Sequence, residues 1–163
     1  FVTNVRNAGL QRLGLDYESL REEFPRLIMA QLSAWGLTGD EIGSPGYDLG
    51  AWWARGGVMH PEKEREGQLQ PQHPAVGDHA TGAFLAGGVG CALLHRQRTG
   101  RGQLVDASLQ HSGVWCNAWL IVSAASDPEL GERWTRERGD YGFGPSANVC
   151  ESVSALAPLT TLG

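Results

Sequence analysis

The chain has 163 residues, 41% of them hydrophobic and 19% charged, and a formal net charge of -5. That length supports one domain with its own core, and the composition is that of an ordinary globular protein. The acidic balance argues against nucleic acid and anionic membranes as partners, and no apolar run approaches the roughly 20 residues of a membrane-crossing helix.

The opening FVTNVRNAGLQ lacks the charged start and apolar stretch of a secretory signal. Because the first residue is Phe1, the chain is expected to begin inside a longer protein. Leu13, Tyr17, Leu20 and Phe24 recur at helical spacing. Gly14 interrupts them, so the helix is placed from about Asp16 to the stop at Pro25. RLIMAQLS then reads as a short strand buried on both faces. GLTGDEIGSPGYDLG is glycine-rich loop, and YDLGAWWARGGVM is a helix anchored by Trp52 and Trp53 and ended by Gly56-Gly57. HPEKEREGQLQPQHP is a polar, mobile connection.

From Asp78 to about Arg98 the pattern predicts a long helix with Phe84, Leu85, Val89, Ala92, Leu93 and Leu94 as its core face. Gly82, Ala86 and Gly90, and likewise Ala83, Gly87 and Cys91, recur every four residues. Glycine disfavours helix, so these stripes imply tight packing against another backbone. His95 to Arg98 place cations at the helix's negative end. After the turn RTGRGQ, QLVDASL alternates with period two, setting Val105, Ala107 and Leu109 on one face and Asp106 and Ser108 on the other. QHSGVWCNAWLIVSAAS reads as one further helix, DPELGERWTRERGDYGFGP as a linker, and the final SANVCESVSALAPLTTLG has no clear period. Strand, helix and strand in this order give an α/β domain.

Cys91, Cys116 and Cys150 are odd in number and form no CxxC pair, which fits reduced thiols in the cytoplasm. His60, His73, His79, His95 and His111 show no zinc-site spacing, so no metal is expected. GGVG at 87–90 lies inside a helix pattern and is a weak dinucleotide signal. On local grounds Asp78, in PAVGDHATGAF, reads first as a helix N-cap.

Four segments in order change the weight of that reading: TNVRNAGLQRLGLDYESL, PRLIMAQLSAWGLTG with SPGYDLGAWWARGGVM, GDHATGAF with its small-residue helix, and LLHRQRTGRGQLVDASL. Over residues 2–125 the sequence resembles the class III, CaiB/BaiF-type CoA-transferases, the group of the formyl-CoA, carnitine and bile-acid enzymes. The resemblance implies a Rossmann-like parallel sheet with flanking helices. Residues 1–126 would be the central and C-terminal part of the large domain. Residues 127–163 would be a linker toward the small domain and a poorly matching tail. It also implies an interlocked homodimer in the cytoplasm, or in mitochondria or peroxisomes of a eukaryote, acting on an acyl-CoA and a carboxylic acid with no metal.

The family's nucleophile is an aspartate in G-D-x-x-(S/T)-G, which is Asp78 here. A carboxylate nucleophile divides one hard exchange into easier steps. A helix N-terminus would keep it ionised and could offer N–H groups to a developing oxyanion. Matching the family's coenzyme A contacts gives Asn4, Val5 (often aromatic in the family) and Arg12, with Arg6 a further candidate and Gly46, Tyr47 and Asp48 in a second loop. Arg6 and Arg12 suit CoA phosphates, or are solvated surface charge. Tyr47 is alternatively a core anchor, and His79 a bystander.

Two alternatives stand. The α-methylacyl-CoA racemases share the fold but use a histidine in a G-H-D element. That element is Gly46-Tyr47-Asp48 here, and tyrosine, with pKa near 10, is a poor base at neutral pH. The chain could also be a truncated inactive fragment or interaction module. It shows neither the family's N-terminal strand–helix unit nor its glycine-rich lid, and a piece of this kind would expose apolar edges. VTNVR and WWARGGVM look closest to the subgroup acting on aryl acids, hydroxy acids and bile acids.

Overall fold

Three parallel strands form the sheet: β1 (Val2–Thr3), β2 (Met29–Ser33) and β3 (Leu104–Ser108), in the order β1-β2-β3. The computed structural model describes residues 1–59, 72–127 and 129. Val2 pairs with Ala30, and β2 runs in register with β3 from Met29–Leu104 to Ser33–Ser108. The central strand is the apolar run read from the sequence. Met29, Ala30 and Gln31 are fully buried, as a parallel strand covered on both faces requires. The expected α/β sheet with flanking helices is therefore the observed architecture.

Parallel neighbours need crossovers. Between β1 and β2 run α1 (Asn7–Leu13) and the single turn α2 (Tyr17–Leu20). The sequence reading placed the helix after Gly14, but the longer helix lies before it. Leu10 is its one buried side chain, and Gly14 ends it at φ 65° with its N–H bonded to Gln11 and Leu10 carbonyls. That left-handed conformation is one glycine adopts without a Cβ penalty. Asp16 caps α2 through Ser19, whose N–H and hydroxyl donate to its carboxylate. Pro25 disfavours helical backbone at the residue before it, and α2 closes after one turn.

Between β2 and β3 lie a π-helix (Leu49–Arg55) and the long α3 (Val76–Thr99). The segment at 49–55 was expected as an ordinary helix. Its wider winding narrows the arc swept by consecutive residues, so Ala51, Trp52 and Trp53 are all buried. Gly56 ends it as expected, with an i→i+5 bond from its N–H to Ala51. The two indoles meet edge to face at 4.8 Å and share a core with Leu109.

Helix α3 lies across β2 and β3. It buries Leu85 and Ala92, whereas Phe84, Leu93 and Leu94, expected in the core, are exposed. The glycine stripe is not where the packing is tight. A Cβ at Gly82, Gly87 or Gly90 would meet nothing, while one at Gly88 would stand 2.6 Å from the Val105 side chain. Ser108, assigned to the polar face of β3, is buried because it caps α4 (Leu109–Cys116) by accepting the His111 N–H. The single helix expected over 110–126 is two, α4 and α5 (Ala118–Ser126). Asn117 ends the first and donates from its side-chain amide to the Gly56 carbonyl. The chain divides after Trp119, and of the second unit only residues 120–127 and 129 are described. Most of the polar connection over 60–74, and the linker and tail with Cys150, lie outside the described residues.

Candidate active site

A cavity of about 490 Å³ opens beyond the carboxyl ends of the three strands. Asn4 follows β1, residues 34–37 follow β2 and Leu109 follows β3, and all of these line it. In an open parallel sheet this edge is where ligands bind, because the loops leaving the strands diverge there. Gly46 and Tyr47 contribute a second wall and Asp78 a third. Arg6 lines this cavity and also an adjoining groove formed with Val5, Gly9, Arg12 and Gly43. The Arg6 guanidinium donates to the Gly43 carbonyl at 3.4 Å, holding the two loops together.

The structure thus brings Asn4, Arg6, Gly46, Tyr47 and Asp78 to one cavity, and Val5 and Arg12 to the groove beside it. Both arginines are exposed and can meet anionic phosphates in the way guanidinium groups do. Tyr47 is 82% exposed, which overturns the alternative of a core anchor. Asp48 is the exception. It is 8% exposed and does not line the cavity. Its Oδ1 accepts the Asp78 backbone N–H at 3.1 Å, and its Oδ2 accepts the Trp53 indole N–H at 3.2 Å.

Asp78 is not the N-cap that local sequence suggested. Ala75 occupies that position at φ 64°, and Asp78 sits in the first turn of α3 with its side chain exposed. Its carboxyl is pushed above the ordinary value of 3.8, first by partial burial and then by the nearby Asp48 carboxylate, with His79 opposing. The expectation that the helix start would favour ionisation is reversed, first by that desolvation and then by the like charge. The Asp78 N–H is also occupied by Asp48, so it is not a free donor for an oxyanion.

Trp35, Gln31 and Leu37 line the cavity and were not singled out from the sequence. Trp35 donates from its indole to the Pro45 carbonyl at 3.3 Å, and Arg55, ion-paired to Glu41, lies 5.5 Å from its ring centroid. Gln31 is fully buried and donates to the Val5 carbonyl, fixing the loop after β1. An aromatic just past a buried strand, and a lone amide within one, were the available signals. His79 does not line the cavity. Among the described residues no group of His, Cys, Asp and Glu could hold a metal ion, and no helix is long and apolar enough to cross a membrane.

With a parallel sheet, a cavity at its carboxyl edge and an aspartate on the first turn of a long helix, the chain has the layout of a ligand-binding α/β domain. It belongs to CoA-transferase family III, whose family model matches residues 1–146. A cinnamoyl-CoA:phenyllactate CoA-transferase from Clostridium sporogenes is 42% identical over 124 residues, 76% of this chain and 30% of that protein. An (R)-2-hydroxy-4-methylpentanoate CoA-transferase from Clostridioides difficile is 34% identical over 130 residues, 80% of this chain and 33% of that protein. The crystal structure of a CaiB/BaiF family protein from Brucella suis matches with a TM-score of 0.72 at 31% identity, covering 78% of this chain and 33% of that one. The chain therefore spans about a third of the length of the curated relatives it matches.

Proposed function

We propose that the protein to which this chain belongs transfers coenzyme A between an acyl-CoA and a free carboxylic acid, with Asp78 as the covalent carrier. The carrying observation is the position of Asp78: an exposed carboxylate on the first turn of α3, facing a cavity whose other walls hold Asn4, Arg6, Gly46 and Tyr47. The Asp78 carboxylate attacks the donor thioester carbon and expels CoA as thiolate, leaving a mixed anhydride. The thiolate then attacks the aspartyl carbon, which releases the first acid and leaves an aspartyl-CoA thioester. The acceptor carboxylate attacks that thioester, forming a second anhydride and freeing the thiolate again. The thiolate takes the acceptor acyl carbon, and the Asp78 carboxylate is regenerated. Thioester is exchanged for thioester, so no nucleotide is consumed.

Arg6 and Arg12 suit the phosphates of CoA along the groove beside the cavity, as guanidinium–phosphate pairs do. Trp35, Leu37 and Ile42 give the cavity an apolar wall that suits a bulky or aromatic acyl group. The relatives named for phenyllactate and 2-hydroxy-4-methylpentanoate favour the same substrate class. An interlocked homodimer belongs to this proposal, as does the assignment of residues 1–126 to the large domain.

The direct test is transfer by the full-length protein. Asp78→Ala is expected to lower kcat by at least about a thousandfold, the scale of losing a covalent nucleophile. Full activity in Asp78→Ala would refute the assignment. Wash-in of solvent deuterium at the α-carbon without transfer would point to racemisation instead.

A further inference from the structure

Asp48 falls in a loop matched to CoA contacts, yet its side chain turns away from the cavity and into the protein. Both of its oxygens are engaged, one by the Asp78 backbone N–H and one by the Trp53 indole. The second bond depends on the π-helix. Winding with i→i+5 bonds brings residues five apart onto one face, which sets Trp53 over Asp48; an α-helix would not align that pair. Gly77 provides the closeness. A Cβ there would collide with Asp48 Oδ1 and with Cγ and Cβ of Trp52, so only glycine lets the start of α3 press onto the carboxylate. One turn on, the Thr81 hydroxyl donates to the Gly77 carbonyl at 2.7 Å and meets the Ser112 hydroxyl of α4, both side chains being buried.

We infer that Asp48 is a positioning residue: it holds the backbone of Asp78 so that the Asp78 carboxylate stands fixed at the cavity, and it does not itself contact CoA. This rests on reading Asp78 as the nucleophile. Attack on a thioester needs the carboxylate within a narrow range of distance and angle, and a displacement of 1 Å can cost a hundredfold in rate. The first N–H groups of a helix have no intrahelical partner, so an unanchored first turn frays. A carboxylate acceptor makes a bond roughly twice as strong as a neutral one. The charged and titratable groups near the Asp78 carboxylate are Asp48 at the start of the π-helix, His79 beside it on α3, and Arg6 and Tyr47, which line the same cavity. Of these, Asp48 raises the proton affinity of Asp78.

The experiment uses the full-length protein with Asp48→Ala, Asp48→Asn and Trp53→Phe, each checked for folding by circular dichroism. Asp48→Ala is expected to lower kcat by about 30- to 100-fold, with KM for acyl-CoA within about twofold of wild type. Asp48→Asn keeps an oxygen for the Asp78 N–H and should return to within about tenfold of wild type. Because the like charge is gone, the acid limb of its pH–rate profile should move to lower pH. Trp53→Phe leaves the Asp48–Asp78 bond and should show a smaller loss of kcat than Asp48→Ala. A tenfold rise in KM at unchanged kcat would overturn the inference in favour of a CoA contact. So would wild-type kcat in Asp48→Ala, or an unmoved acid limb in folded Asp48→Asn. If Asp48→Ala does not fold, Asp48→Asn and Trp53→Phe decide by the same readouts. Activity in Asp78→Ala would remove the underlying reading, whereas an inactive Asp78→Ala beside a fully active Asp48→Ala would remove only this inference.

Discussion

Asp78 has its main-chain N–H bonded to one carboxylate and its own carboxyl partly desolvated nearby, and this has a consequence for stability. Its pKa is raised on folding, so the native state binds the proton more tightly than the unfolded state does. Above the raised value the ionised form therefore subtracts from stability. The penalty fades as pH falls, and it is gone below the ordinary value of 3.8, where both states are protonated. Asp78→Asn should accordingly raise the urea midpoint of the full-length protein near pH 7 while abolishing transfer, and the gain should vanish near about pH 3. Equal gains at both pH values would show that the shift is not the cause. That Asp78 stands at the start of a helix was legible from PAVGDHATGAF, though as a cap and not as the third helical residue. Its pairing with Asp48 was not, because the two residues lie 30 positions apart and meet only through the fold.

The start of α3 holds two opposite cases two residues apart. Ala75 has a left-handed backbone at φ 64°, which costs a residue with a Cβ roughly 1–2 kcal/mol. Gly77 has no room for a Cβ at all. Ala75→Gly should therefore raise the urea midpoint, by less than that strain because glycine gives back some unfolded-state entropy. Gly77→Ala should lower stability by about 1–3 kcal/mol, the usual cost of overpacking, and should disturb transfer as well. A neutral Gly77→Ala would mean that the clamp beneath Asp78 is loose. The elements that hydrophobic pattern located well were β2, a continuous apolar run buried on both faces, and the periodic β3 and α3. The π-helix and the break at Asn117 were missed because each is tied to a distant part of the chain: Asp48 to the Asp78 N–H, and Asn117 to the Gly56 carbonyl. Helical glycines show the same limit. The stripe at Gly82 and Gly90 was visible but faces open space, whereas Gly56, read only as a helix end, and Gly113, not singled out, approach so closely that a Cβ on Gly56 would stand 2.8 Å from the Gly113 Cα.

At the scale of the whole molecule, the chain covers about a third of its curated relatives and leaves large apolar side chains uncovered, among them Trp115 at 67% exposure with Phe84 packed edge to face against it. Exposed apolar side chains that pack against each other favour association. Residues 1–163 expressed alone should bind a hydrophobic dye and aggregate in light scattering, whereas the full-length protein should bind no dye and scatter as one discrete species. A monodisperse, dye-silent 1–163 chain would show that these side chains need no further cover. Family and fold were legible from four ordered segments, and the cavity gathers most of the residues they named. Gly46 and Tyr47 of the second loop line the cavity, but Asp48 faces inward.

The central claim is that Asp78 carries the acyl group and then CoA. It is tested most directly by incubating the full-length protein with an acyl-CoA, quenching with hydroxylamine and mapping the modified peptide by mass spectrometry. The account predicts a hydroxamate on Asp78 that forms only when acyl-CoA is present. An unmodified Asp78 in protein that is turning over, or a label on another residue, would contradict it.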